Sequence, residues 1–393
     1  MISLARYAIL LERPELRRTI VASVIGRLPI GILGLAILLA TQAATGSFGH
    51  AGAVAACYLA GLAVMAPVLG RVIDRTGPAR ILLFCAAIFP TTLVVLVIAL
   101  RLNAPPWTAF VLAALAGASF PPITVCLRTF LRQRLFEEAQ LATAYSLESV
   151  LIEIIFIIGP MLVALFVAYF SASIAVLFAA ACGFAGTLLF RRSPALAHWR
   201  IEHRHAPSFT GPLSVRGFLP LLVVILAYSG AFGLLEIGVT AYAAEAGRPA
   251  LAGFILGLMS VGSALGGLAY GSRSWQLKMP QQFALMLLLM GVGIAALSLI
   301  GNAALFVALG IVAGVVMAPA LIIQSMLVAK TAPAQYATEA FTWSTSCLLT
   351  GVGLGLAAGG LILERASSAA VFAAGGAVSL GAAALAFTSL RKT

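Results

Sequence analysis

Residues 146–160 read SLESVLIEIIFIIGP and place Glu148 and Glu153 in a run dominated by Leu, Ile, Val and Phe. The rest of the chain decides what kind of helix this is. The 393 residues are 62% hydrophobic and only 9% charged, with a mean hydropathy of +1.09. Soluble domains carry roughly 25% charged residues, so this chain could not cover an aqueous surface. Its apolar runs last about twenty residues, the length of a helix that crosses a bilayer. Barrel strands would instead alternate polar and apolar residues. The fold class is therefore all-α, because a helix satisfies its own backbone in hydrocarbon.

Twelve such runs are predicted, near 19–42, 51–70, 80–100, 108–130, 139–166, 169–190, 217–243, 250–271, 282–300, 303–328, 336–362 and 368–390. The one long polar interval, 191–216, separates six from six. This predicts a six-helix unit over 1–190, a linker over 191–216 and a second unit over 217–393. Of the 24 Lys and Arg, 20 fall on the side that carries the termini and the linker. The positive-inside rule makes that side cytoplasmic. The net charge of +12 thus follows from membrane topology and calls for no nucleic-acid partner. No cleavable signal is evident at the amino end.

The two halves repeat. Gly52, Gly61 and Gly70 return 201 residues later as Gly253, Gly262 and Gly271. AGASFPP at 116–122 returns as AGVVMAP at 313–319, an offset of 197, and AQLAT at 139–143 as AQYAT at 334–338, an offset of 195. A duplicated six-helix unit follows, and parallel repeats of this kind build transporters with the substrate between two bundles.

Six plus six spans with cytoplasmic ends resemble the major facilitator superfamily over essentially the whole chain. GRVIDRTGPAR at 70–80 is similar to that superfamily's signature loop, Gly-x-x-x-Asp-Arg-x-Gly followed by basic residues. Gly70 would let the helix end approach a neighbour, Gly77 would permit a tight turn, and Asp74, Arg75 and Arg80 would hold the loop in the cytoplasm. The resemblance implies a gating role for this loop. Pro78 stands where a basic residue is usual. Gly159-Pro160 resembles part of a span-five motif of superfamily exporters, and it is also a plain helix break.

Charged groups in hydrocarbon cost several kcal/mol, so they pair, face a cavity or handle ions. At about 1.5 Å per residue, Arg27 lies roughly 12 Å into span one and Glu148 roughly 13 Å into span five, level enough to pair. Arg128, near the inner end of span four, reads as a side chain that snorkels to water. Glu153 lies about 21 Å in, without a level-matched Arg. It follows Ser146 and Ser149 along a narrow polar stripe. Taking up a proton would relieve an unpaired carboxylate there, so Glu153 reads as the coupling-proton carrier, with a structural acid and a substrate contact as alternatives. Arg27 would hold Glu148 or anchor an anionic group of the substrate. Glu236 in span seven reads as a substrate or gating residue, or as an interhelix hydrogen bond. Tyr145, Gln324 and Trp343 are further cavity candidates, and Glu339 reads as a cap of span eleven.

Other chemistries find no support. The five Cys lie inside apolar runs and lack metal-ligand spacing. His198, His203 and His205 have no partnering ligand set. There is no phosphate loop, no nucleophile with its base, and so no enzyme, cofactor or metal is predicted. The expected protein is a monomeric, multi-pass secondary transporter of a bacterial inner membrane, exporting a small organic molecule against proton entry. A symporter importing a small acid or sugar and a non-transporting sensor or scaffold are the alternatives. A sensor would be expected to add a soluble domain or long tail.

Overall fold

The computed structural model describes residues 12–134, 138–193, 196, 213, 215, 217–271, 275–331 and 337–390. Within its helices the side chains of Arg71, Asp74, Arg75, Tyr145, Ser146, Ser149, Glu153 and Glu339, among others, are not described. Among the described residues every regular element is a helix. Twelve are long and apolar enough to cross a membrane. Spans one to six are Pro14–Thr45, Phe48–Gly70, Pro78–Arg101, Pro106–Leu131, Val150–Tyr169 and Ala172–Arg191. Spans seven to twelve are Phe218–Glu245, Leu251–Tyr270, Met279–Leu297, Ala303–Thr331, Ala340–Leu363 and Ser368–Ser389. Each coincides with one of the twelve runs in the sequence. Twelve crossings return the chain to its starting side, so span one begins and span twelve ends on one face, here the terminal face. An ion pair between Glu15 and Arg134 (2.7 Å) ties the start of span one to the end of span four on that face.

Local chemistry sets the breaks. Pro29 cannot donate to the Ile25 carbonyl, so span one divides into Pro14–Arg27 and Pro29–Thr45 just past Arg27. Span four breaks between Ala118 and Ile123, where two prolines follow Phe120. Span ten breaks between Gly314 and Met317. These two breaks fall on the AGASFPP and AGVVMAP repeats.

The duplication is physical as well as textual. A β-carbon at Gly61 would collide with the Ala114 carbonyl, and one at Gly117 with the Tyr58 carbonyl. In the second half Gly262 meets the Ile311 carbonyl and Gly314 the Met259 carbonyl in the same way. The partners are related by the sequence offsets, 201 between spans two and eight and 197 between spans four and ten. Only a hydrogen fits at these crossings, which is why glycine repeats there. Replacing Gly117 with Val should destabilise the first bundle by about 1–3 kcal/mol through overpacking. Thermal unfolding of the purified variant checks this, and Gly314→Val should behave alike.

The apolar contact between the bundles lies in the half of the membrane away from the termini. A buried apolar cluster there joins Leu38, Ala51 and Ala55 of the first bundle to Leu234, Ile237, Leu356 and Val371 of the second. Two glycine seams flank it. A β-carbon at Gly52 would hit the Leu356 carbonyl, joining spans two and eleven, and one at Gly253 would hit the Pro160 carbonyl, joining spans eight and five. These seams are themselves mates under the duplication, with Gly253 following Gly52 by 201 and Leu356 following Pro160 by 196. Toward the terminal face, Ser346 Oγ donates to the Ala63 carbonyl across the seam (3.3 Å). Further toward that face, the buried cluster around Leu16, Ile73, Ile123, Phe130 and Phe190 draws only on the first bundle.

Among the described residues, a β-carbon at Gly70 would meet no atom within 4 Å. Gly77 does form the turn, at φ 80 and ψ 162, a conformation that side chains with a β-carbon avoid, and Pro78 starts span three directly after it.

Candidate functional site between the bundles

Three charged side chains from three spans meet in the first bundle. Arg27 Nη1 donates to Glu148 Oε1 at 3.1 Å, and Arg128 Nε donates to Glu148 Oε2 at 2.8 Å. Arg27 is fully buried, Glu148 is 2% exposed, and Arg128 is 54% exposed. The remaining contacts of Arg27 come from one turn earlier on its own helix. Nε donates to the Ser23 carbonyl (3.3 Å) and Nη2 to Ser23 Oγ (3.4 Å). Each oxygen of one carboxylate thus takes a guanidinium donor, and Arg27 is held from two directions. A charge pair so enclosed is satisfied only while both partners are present.

Sequence reasoning missed the inward turn of Arg128, because depth near a helix end is also what snorkelling requires. A usable signal was present. Arg128 and Glu148 stand ten residues either side of Glu138, where the helix of span five begins. Across a hairpin, residues equally far from the turn are level.

The second bundle repeats this arrangement without charge. Tyr228 Oη donates to Gln324 Oε1, and Gln324 Nε2 donates to Ser344 Oγ at 2.8 Å, joining spans seven, ten and eleven. All three residues are buried. Two further glycine crossings fix the correspondence. Gly31 meets the Ile155 carbonyl between spans one and five, and Gly233 meets the Val352 carbonyl between spans seven and eleven. The offsets are 202 and 197, and Ser344 follows Glu148 by 196. Tyr228 and Gln324 lie within one residue of the mates of Arg27 and Arg128. Gln324 therefore sits in a bonded network inside its bundle, and Trp343 beside Ser344 is half-buried.

Glu236 lies where the two halves touch. A β-carbon at Gly34 in span one would come within 3.0 Å of Glu236 Oε1. Glu236 follows Gly34 by 202, the offset that relates spans one and seven, so these are equivalent positions in contact with each other. Two equivalent positions can touch only near the pseudo-twofold axis. Absence of a side chain at Gly34 leaves room for the carboxylate of its mate. Among the described residues no ion pair or hydrogen bond to that carboxylate is made, while Leu234 and Ile237 beside it belong to the apolar closure.

A family model described as Major Facilitator Superfamily matches residues 19–281. The chain belongs to the major facilitator superfamily. Solved superfamily-fold structures similar to it include the nucleoside transporter NupG, at 16% identity and TM-score 0.70, covering 95% of this chain and 99% of that one. A mutant of the peptide transporter POT in complex with sulfate is similar at 13% identity and TM-score 0.74, covering 95% of this chain and 94% of that one. None of the curated proteins matches the sequence.

Membership gives the remaining residues a frame. The stretch that resembles the superfamily signature loop is the end of the span-two helix, which runs through Arg75 to Thr76, followed by Gly77 and Pro78, with Arg80 exposed in the first turn of span three. Gly159 and Pro160 sit at crossings: Gly159 packs on Gly31 of span one, and the Pro160 carbonyl on Gly253 of span eight. The side chains of Asp74, Arg75, Tyr145, Glu153 and Glu339 lie outside the described ones, as do His198, His203 and His205 altogether. Gly351, Gly355 and Gly360 let span eleven pack on spans seven and two.

Proposed function

We propose that the protein is a secondary active transporter that works by alternating access and exports a small organic molecule in exchange for protons. The observation that carries this reading is the apolar closure between the two bundles on the outer side, with a carboxylate on their axis. Its moving parts are the bundles 1–190 and 217–393, joined by 191–216. The excess of Lys and Arg on the terminal face supports a cytoplasmic orientation of that face, with the protein in a bacterial inner membrane. The apolar closure then lies on the outer side, and among the described residues the buried cluster nearest the cytoplasm draws only on the first bundle, which suits a state that loads cargo from inside.

Export is supported by Gly159-Pro160, which resembles the exporter motif and lies where span five meets both span one and span eight. Rocking the bundles has to remake these crossings. Glu153 and Glu236 are the acids through which protons act, and Glu236 is favoured by its position. In the closed outer half its carboxyl faces apolar neighbours, so a neutral, protonated Glu236 suits that state and an ionised one suits the open state. Protonation from outside would then drive closure there, using about 2.3 kcal/mol per charge and 100 mV. The protein acts as a monomer in the lipid bilayer, with the signature loop, Gly70 to Arg80, gating the cytoplasmic side.

Everted vesicles with an acidified lumen test this. Substrate added outside should alkalinise the lumen, and Glu236→Gln should reduce that signal at least tenfold. A signal lost only in Glu153→Gln would move the proton to Glu153. Proton leak appearing only when substrate is loaded in the lumen would mark an importing symporter instead.

A further inference from the structure

We infer that Glu364 is a gating residue: its carboxylate latches the outer end of span eleven to the outer end of span two and favours the closed outer side. This rests on the transporter reading above and assigns a residue to its outer gate. Glu364 Oε1 accepts a hydrogen bond from Ser47 Oγ (3.3 Å), a contact between the second bundle and the first. Ser47 is the N-cap of the span-two helix, and its Oγ also accepts from His50 N (3.1 Å). The acid therefore lies at a helix N-terminus, where backbone N–H groups without helical partners favour a negative charge.

Glycine makes room for this contact. A β-carbon at Gly49, in the first turn of span two, would collide with the Glu364 carboxylate. One turn back along span eleven, a β-carbon at Gly360 would meet the Phe48 carbonyl, so the two helix ends lie close together. Gly34 and Glu236 meet in the same way on the axis, again with the glycine in the first bundle and the acid in the second. The other seam has neither partner. By the offsets that relate the seams, 201 and 196, the mates of Gly49 and Glu364 are Ala250 and Ala168. These two line an open groove of about 410 Å³ between spans five and eight. The repeat departs at both positions together, toward an acid and toward the glycine that admits it.

The surroundings make the contact reversible. Glu364 is exposed and Ser47 half-buried, so water takes over from either partner at little cost when the bundles part. Arg27 and Glu148 are enclosed within one bundle and have no such freedom. Glu245 uses the same chemistry at Ser368, accepting from its backbone N (2.8 Å) and its Oγ (2.6 Å). Both of those residues belong to the second bundle, so that cap persists however the bundles move. The Glu364 contact crosses between bundles and exists only while the outer side is closed.

The test uses the full chain in right-side-out vesicles, without substrate or gradient. The five native cysteines are replaced and Ala55→Cys, in the apolar closure, is labelled by an impermeant maleimide from outside. Glu364→Ala should label about two- to fivefold faster than this parent, the loss of a charge at a helix end read as a shift toward the open outer side. Gly49→Ala should do the same, because its methyl evicts the carboxylate without altering it. The double variant should label no faster than either single one, since both changes remove one contact. Should Glu364→Ala fail to fold, Glu364→Asp carries the test, keeping the charge on a side chain too short to reach Ser47. Parent-like labelling in either single variant, or effects that add in the double variant, would overturn the inference. Labelling requires no transport, so an absent proton exchange leaves the latch standing, while parent-like labelling removes it even where export is measured.

Discussion

Glu148→Gln is expected to lower the stability of the protein by about 3–5 kcal/mol, the loss that follows when one partner of a buried ion pair is removed. Arg27 is the reason. It stays fully buried, and the carboxylate that balances it is gone, while Ser23 can supply only hydrogen-bond acceptors. Arg128 adds little to the loss, because an exposed cation finds water and a surface pair contributes about 1 kcal/mol or less. The double variant Arg27→Met, Glu148→Leu should recover most of the stability, since apolar side chains of similar volume need no partner in hydrocarbon. Thermal unfolding of the purified proteins in detergent measures all three. A Glu148→Gln protein that melts with the wild type would show that Arg27 is satisfied by something other than this carboxylate.

Gly52→Val and Gly253→Val should each slow transport, and together abolish it, while leaving each bundle folded. Both glycines face a carbonyl of the other bundle, so a larger side chain penalises only the state in which the outer half is closed. Overpacking of this kind costs about 1–3 kcal/mol. At about 1.4 kcal/mol per decade, each variant would shift a two-state equilibrium about five- to a hundredfold toward the open outer half. The double variant should be locked there. Gly117→Val differs, because its neighbour belongs to the same bundle and the cost falls on folding. An Ala55→Cys reporter in the apolar closure, labelled by an impermeant maleimide from the outer face, should react faster in either seam variant. Wild-type labelling together with wild-type transport would mean that the glycine seams do not separate during the cycle.

Much of this is legible in the residues, for physical reasons. Lipid dictates span length, so twelve runs give twelve helices. Arg27 and Glu148 meet because a level pair in one bundle removes two desolvated charges at once. Depth along a helix can be counted, whereas the direction of a side chain around it depends on packing. That is why depth alone leaves Arg128 snorkelling, when it turns inward to Glu148. Glu236 is hidden differently. The repeats in the sequence relate spans two, four and five to eight, ten and eleven, and none marks spans one and seven. The equivalence of Gly34 and Glu236 emerges only once Gly31 and Gly233 are seen at matching crossings.

The most direct test of alternating access is to fasten the outer seam. A β-carbon at Gly353 would lie 3.6 Å from the Ala56 Cα, close enough for a disulfide between spans eleven and two. The pair Ala56→Cys and Gly353→Cys, in a chain whose five native cysteines are replaced, can be oxidised in everted vesicles. Alternating access predicts that oxidation stops substrate-induced alkalinisation of the lumen and that a reductant restores it. Undiminished transport with the cross-link formed would contradict it.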